Sequence, residues 1–248
     1  MNARAVANEF AKMRHLRVWL VMAVMVIAIL SLSALTALSG PEFDVAYPGA
    51  WNVLLAGMSL AFPMVAPLLL AILASRQVDI EHQGNGWLLS ATSGVTPGGL
   101  CRSKFVSLGI LVTGATLVAS LLVLALGTLT GIEAPMPTVH WAGFTLCMIV
   151  VNLVVLAVQV LLSAKIENQL VALGIAVLGT LIAVFSKGFP PAFAHVTPWG
   201  YYSLAEAAGY QGAEIHTLPL SYPSIAALAV IAGLLFGLIT GRLDRQEA

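Results

Sequence analysis

The sequence predicts an all-α membrane protein with six transmembrane helices, and three observations carry that prediction. Only 9% of the 248 residues are charged, against roughly 25% in soluble domains, and mean hydropathy is +0.95. Six uncharged stretches, Val18–Pro41, Val45–Ser75, Phe105–Ile132, Ala134–Ala164, Asn168–Ser186 and Ile215–Gly241, each approach or exceed the roughly 20 residues a helix needs to cross a hydrocarbon core. The cations then sort by side. Six crossings put both termini on one face, which receives Arg4, Lys12, Arg14, Arg17, Arg76, Arg102, Lys104, Lys165, Arg242 and Arg245 and leaves Lys187 to the other. Lys and Arg accumulate near span ends on the cytoplasmic side, so the chain is expected in the cell membrane with both termini in the cytoplasm.

Residues 1–17 precede the first span. Ala3, Val6, Phe10 and Met13 share one arc of a 3.6-residue helix while Arg4, Lys12 and His15 fall elsewhere, which predicts a short amphipathic helix on the membrane surface with its cations toward lipid phosphates. The apolar run that follows is longer than a signal-peptide core and is followed by five more spans, so it is read as an uncleaved first span. The next loop carries Glu42 and Asp44 and no cation. Pro63 and Pro67, one turn apart in the second span, each remove a backbone donor. A kink is expected there, tolerated where neighbouring helices satisfy the freed carbonyls, so this span is placed inside the bundle.

Glu133, Pro135 and Pro137 mark the turn between spans three and four. In the fourth span Asn152 and Gln159 are seven residues apart and share a face. An amide facing lipid is costly, so both are expected to hydrogen-bond across helices or to touch a translocated substrate. Segment 187–222 combines Gly188-Phe189-Pro190-Pro191 with Thr197-Pro198-Trp199-Gly200-Tyr201-Tyr202, helix breakers among interfacial aromatics that suit short pieces dipping into the outer leaflet. Glu206, Glu214 and His216 within it match no metal-ligand spacing and are placed in water. Ala229, Gly233, Gly237 and Gly241 recur every four residues along the last span, a smooth stripe that lets another helix approach, within this chain or from a second one.

Several functions are excluded. Acidic and basic residues balance at 11 each, so nucleic acid is not an expected partner. The spans leave no stretch of globular size, so 1–248 is read as one six-span unit without a soluble catalytic domain. Gly94-Val95-Thr96-Pro97-Gly98-Gly99 has the glycine spacing of a phosphate loop, but Leu100 and Cys101 occupy the places of its lysine and hydroxyl residue. No zinc-protease, serine-elbow or paired-cysteine metal motif occurs. Cys101, placed in a cytoplasmic loop, and Cys147, in the fourth span, are expected to be free thiols. Ion-driven pumping would call for carboxylates within the spans, and none is expected there.

Chemistry concentrates in the loop 75–104. Arg76 to Gln83 continues the second span beyond the lipid, with Asp79, Glu81 and His82 expected in water, until Gly84-Asn85-Gly86 breaks it. Asn85 is expected to cap a short helix, Trp87 to Thr92, that exposes an indole and two leucines. Thr96 and Pro97 start the next helix, which runs through Arg102 and Lys104. Glu81, Gly84-Asn85-Gly86-Trp87-Leu88-Leu89, Thr96-Pro97 and Lys104 in this order resemble the loop of type-2 ABC transporter permeases, most closely the lantibiotic and bacitracin immunity permeases. Gly98-Gly99 departs from the more basic or polar stretch those proteins carry after the proline.

The resemblance implies a coupling helix on a separate ATPase subunit that binds ATP and Mg, with Asp79, Glu81, Asn85 and Trp87 as the contact set and no cofactor in this chain. It also implies assembly with a second permease chain, identical or homologous, in membrane lipid. The expected function is the permease of an ATP-driven exporter for an amphipathic or hydrophobic cargo such as an antimicrobial peptide, giving lantibiotic immunity or resistance. The alternatives are a gradient-driven carrier or channel, for which Asn152, Gln159 and hydroxyls are the groups at hand, and a membrane scaffold without transport.

Overall fold

The computed structural model describes residues 3–40, 43–212 and 214–246; Pro41 and Glu42 of the first connecting loop lie outside them. Helix α1 (Ala3–His15) precedes α2 (Val18–Leu38), α3 (Ala50–Gln83), α4 (Gly86–Thr92), α5 (Pro97–Leu129), α6 (Thr138–Lys165) and α7 (Gln169–Phe185). The short helices α8 (Pro191–Ala194) and α9 (Tyr201–Leu204), strands β1 (Ala208–Gln211) and β2 (Glu214–Thr217), and α10 (Tyr222–Gln246) complete the chain. Among the described residues six helices are long and apolar enough to cross a membrane: α2, α3, α5, α6, α7 and α10. Both termini therefore share one face, here the terminal face, and segment 186–221 lies on the distal face.

Helix α3 is the centre of the bundle. It packs on α2, α6 and α7, and 72% of its most apolar window is buried, against 17% for α10. Pro63 and Pro67 lie inside it without ending it. Gly57 sets its closest approach to α2: a Cβ there would stand 2.8 Å from both the Ser33 carbonyl oxygen and the Thr36 hydroxyl. Aromatic pairs fix α3 against α6. Trp51 meets Trp141 edge-on at 5.8 Å and Phe62 meets Phe144 at 6.0 Å, the T-shaped geometry that ring quadrupoles favour. The indole nitrogens are satisfied as well, Trp51 Nε1 donating to the Ala134 carbonyl at 2.8 Å and Trp141 Nε1 to Ser120 Oγ at 3.0 Å.

Helix α10 lies against α5 and α6 through Ile225, Leu228, Phe236 and Thr240. Its glycine stripe does not join that contact: a Cβ on Gly233, Gly237 or Gly241 would meet nothing within 4 Å. The stripe follows the packed row by one residue, about 100° around a 3.6-residue helix. At the terminal end Gly98 allows the contact, since any Cβ there would run into the Thr240 carbonyl. Asp244 then accepts from the Gly99 N–H at 3.2 Å and pairs with Arg102 at 2.8 Å, an anion at the N-terminus of α5 where the helix dipole welcomes it.

The distal segment holds the one unexpected element. Ile215, assigned by the sequence to the last span, belongs to a hairpin in which Ala208 faces Thr217 and Gln211 faces Glu214. Gly212, which follows β1, has φ 68°, a left-handed conformation that glycine adopts without strain. Glu206 also departs from expectation. Its carboxylate is largely buried and accepts a hydrogen bond from Lys187 at 2.8 Å, whereas Glu214 stays exposed beside His216.

Candidate functional site

On the terminal face four elements converge: α1, the last turns of α3, α4 and the first turns of α5. The convergence is organised by buried charge. Lys104 of α5 has no exposed surface, and its ammonium donates to Glu9 Oε2 at 2.8 Å, Glu81 Oε1 at 2.7 Å and the Gln77 carbonyl at 2.8 Å. Three acceptors match the three hydrogens of an ammonium. Lys12 closes the cluster by donating to Glu9 Oε1 at 2.9 Å and Glu81 Oε1 at 2.6 Å, and the Gln77 amide donates to Glu9 Oε2 at 2.8 Å. Two carboxylates and two ammoniums leave the group neutral, the condition under which buried charge is tolerable.

This overturns two expectations. Glu81, expected in water, is 1% exposed, so its carboxylate is not offered to a partner. Lys12 turns into the protein instead of toward lipid phosphate. Helix α1 buries the row Ala5, Glu9 and Met13 in place of the purely apolar arc, because Glu9 is drawn to Lys104. Partial burial works against the Lys12 ammonium, but hydrogen bonds and attraction from Glu81 and Glu9 outweigh it and hold its pKa above the ordinary 10.5. The chain thus does bury ionisable groups, but at the terminal ends of α3 and α5, not at their middles. Glu9, Gln77 and Lys104 were legible only indirectly: a lone carboxylate beside the apolar arc of α1 calls for a cation.

Beyond the cluster, Asn85 adopts a left-handed conformation at φ 50° and makes no side-chain cap, contrary to expectation. Its backbone turn reverses the chain into α4. Trp87 is half-buried, not exposed. Its Nε1 donates to His82 Nδ1 at 3.3 Å, while His82 Nε2 donates to the Ser163 carbonyl at 2.9 Å, a pair of bonds met by the neutral Nε2–H tautomer. Indole and imidazole also meet edge-on at 5.6 Å. Asp79 is half-buried and accepts from the Gln83 amide. What α4 presents outward is Leu88, 66% exposed, and Leu89, 63% exposed. Thr96 caps α5 as expected, its hydroxyl accepting from the Gly99 N–H at 3.2 Å. Cys101 lies in α5 rather than in a loop, and it and Cys147 are buried free thiols.

A second polar group crosses the middle of the bundle. Tyr202, 1% exposed on α9, donates to Asn152 Oδ1 at 2.6 Å, and Asn152 Nδ2 donates to Thr116 Oγ1 at 3.0 Å. Asn152 is at the midpoint of α6, so the distal segment reaches deep between the spans. The amide is an interhelical contact. Gln159, by contrast, is fully buried with neither amide atom partnered among the described residues.

A broken helix on the terminal face, ion-locked to a surface helix and set between the second and third spans, is a layout that can be compared with known proteins. A family model described as "ABC-2 family transporter protein" matches residues 5–183, more than two thirds of the chain. The chain belongs to the ABC-2 transporter family. It is a multi-pass ABC permease, the transport component rather than the ATPase. ABC-2 permeases work with a separate ATPase and as dimers. The match runs from α1 into α7, taking in the charged cluster and α4, and leaves the distal segment and α10 of this ABC-2 protein beyond it. No curated protein matches the sequence.

Proposed function

We propose that this chain is the membrane-spanning half of an ATP-driven exporter in the cell membrane, with both termini cytoplasmic and α4 as the element that receives the motion of a separate ATPase carrying ATP and Mg. The observation that carries the reading is the pairing of an exposed apolar helix with a buried ionic anchor. Helix α4 has no buried residue, and it exposes Leu88 and Leu89 outside any span, where lipid gives no reason for them. The chain flanking it is locked through Glu81, Lys104 and Glu9 to three helices at once. A push on α4 therefore moves α1, α3 and α5 together. Asp79, Asn85 and Trp87 flank the two leucines as the remaining contact set, with Glu81 holding the site in place from inside.

An amphipathic cargo is supported by a groove of about 400 Å³ on the distal face. Val53 and Leu60 line its apolar side and the Lys187–Glu206 pair its polar one. An antimicrobial peptide such as a lantibiotic has this character, and immunity or resistance is the role that follows. The second permease chain, identical or homologous, would supply the other half of the path, and the uncovered glycines Gly233, Gly237 and Gly241 are open to it.

The test is pull-down of the membrane complex with identification of any ATPase subunit that copurifies. Leu88→Asp with Leu89→Asp should abolish association and ATPase stimulation while leaving thermal stability within ~2 °C of wild type, because exposed positions contribute little to folding. Unchanged association and stimulation would refute the assignment of α4.

A further inference from the structure

A groove of about 650 Å³ runs along the terminal half of the bundle, walled by α1, α2 and α5. It is almost wholly apolar, and one cation, Arg14, stands at its terminal end. From Val18 to Ile27 on the α2 wall the rise is about 14 Å at ~1.5 Å per residue, close to half of a ~30 Å hydrocarbon core. The groove therefore spans one leaflet, from headgroup level to the bilayer midplane. Its depth comes from small side chains: Ala23 and Gly114 form part of the lining, and a Cβ on Gly114 would meet nothing within 4 Å.

We infer that this groove holds one anionic glycerophospholipid, an acyl chain along α2 and α5 and the phosphate on Arg14. The charge pattern selects the occupant. Arg14 is exposed and has no acidic partner among the described residues, because Glu9, the carboxylate of its own helix, is spent on Lys104 and Lys12. Arg17, also exposed, follows at the elbow between α1 and α2 with φ 52°. A guanidinium binds phosphate through paired N–H donors, and two unneutralised arginines disfavour the added cation of a zwitterionic headgroup. Phe10 presses on the groove from the same helix that carries Glu9 into the buried cluster. A lipid seated there wedges α1 in place, so occupancy of the groove secures the ion pairs behind it.

Trp19 lines the groove and supplies the readout. The full chain is reconstituted in phosphatidylcholine vesicles containing a small fraction of phosphatidylglycerol or phosphatidylcholine with brominated acyl chains, and the Trp19 signal is taken as the difference between wild type and Trp19→Phe. Brominated phosphatidylglycerol should half-quench this signal at about five-fold lower mole fraction than brominated phosphatidylcholine, the attraction one surface arginine exerts on an anionic headgroup. Arg14→Gln should remove the preference. Gly114→Phe, whose Cβ would meet nothing within 4 Å, should place its ring in the groove, lower quenching by both lipids and keep the wild-type unfolding temperature. Equal quenching by the two lipids in wild type overturns the proposal, as does a preference that survives Arg14→Gln or Gly114→Phe. A Trp19 signal shielded from both lipids in proportion to protein density would put a second copy of this chain in the groove and overturn it likewise.

Discussion

Replacing Lys104 with methionine removes the hub of the buried cluster while keeping the length of its side chain. Its ammonium makes 2.8 Å and 2.7 Å ion pairs with Glu9 and Glu81, and neither carboxylate is more than 2% exposed. The substitution leaves two buried anions with the partly exposed Lys12 as their one cation, a net charge of −1 on carboxylates shielded from water. Breaking a buried pair in this way costs about 3–5 kcal/mol. For a chain of this size ~1 kcal/mol shifts the unfolding midpoint by about 2–4 °C, so Lys104→Met should lower it by about 6–20 °C. Cys101 and Cys147, both buried and free, allow the unfolding of detergent-solubilised protein to be followed with a thiol-reactive fluorophore. Glu81→Gln alone leaves a net charge of +1 and should also destabilise. Combined, the two changes restore neutrality through Glu9 and Lys12, so the double variant should be more stable than the sum of the singles predicts by about 0.5–3 kcal/mol. A Lys104→Met midpoint within ~2 °C of wild type, or strictly additive singles, would refute the view that charge balance holds α1, α3 and α5 together.

The pH dependence of Lys12 has a definite sign. Its pKa is raised in the folded chain above 10.5, so its contribution is complete below the unfolded value and lost as pH rises through the folded one; the stability gap between wild type and Lys12→Met should be constant to about pH 10 and close above it. Tyr202→Phe leaves Asn152 Oδ1 without the donor now 2.6 Å away and should cost about 1–2 kcal/mol, within the range for polar contacts between membrane helices, read as a fall of a few degrees in the midpoint that Asn152→Leu partly restores. Gly57→Ala drives a methyl into the Ser33 carbonyl and Thr36 hydroxyl 2.8 Å away and should cost about 1–3 kcal/mol. Gly237→Ala meets nothing and should leave the unfolding of the isolated chain unchanged or improve it by up to ~1 kcal/mol; equal losses at the two glycines would contradict this packing.

How far each feature could be read in advance depended on whether its cause was local. Thr96-Pro97 announced the start of α5 because a hydroxyl cap and a proline at the first helical position act within one turn. Gly84-Asn85-Gly86 announced the break before α4 for the same reason. The hairpin at Ala208–Thr217 stayed hidden because its Ile215 is apolar and adjoins the last span. The reading of Glu81 as a surface group failed because its partner Lys104 is 23 residues away. Trp87 is drawn in by His82, five residues before it, whose ring is in turn held by the Ser163 carbonyl, 81 residues from His82.

The sequence by itself determined that this is an all-α protein of six spans and, apart from the start of the last one, where they run, since burying apolar surface in lipid while satisfying every backbone bond within a helix is a property of each segment alone. Which side chains face one another was decided only by the tertiary structure. A charge such as Glu9 or Lys104 costs too much to bury without its counterpart, and only the packing of α1, α3 and α5 brings the counterparts together.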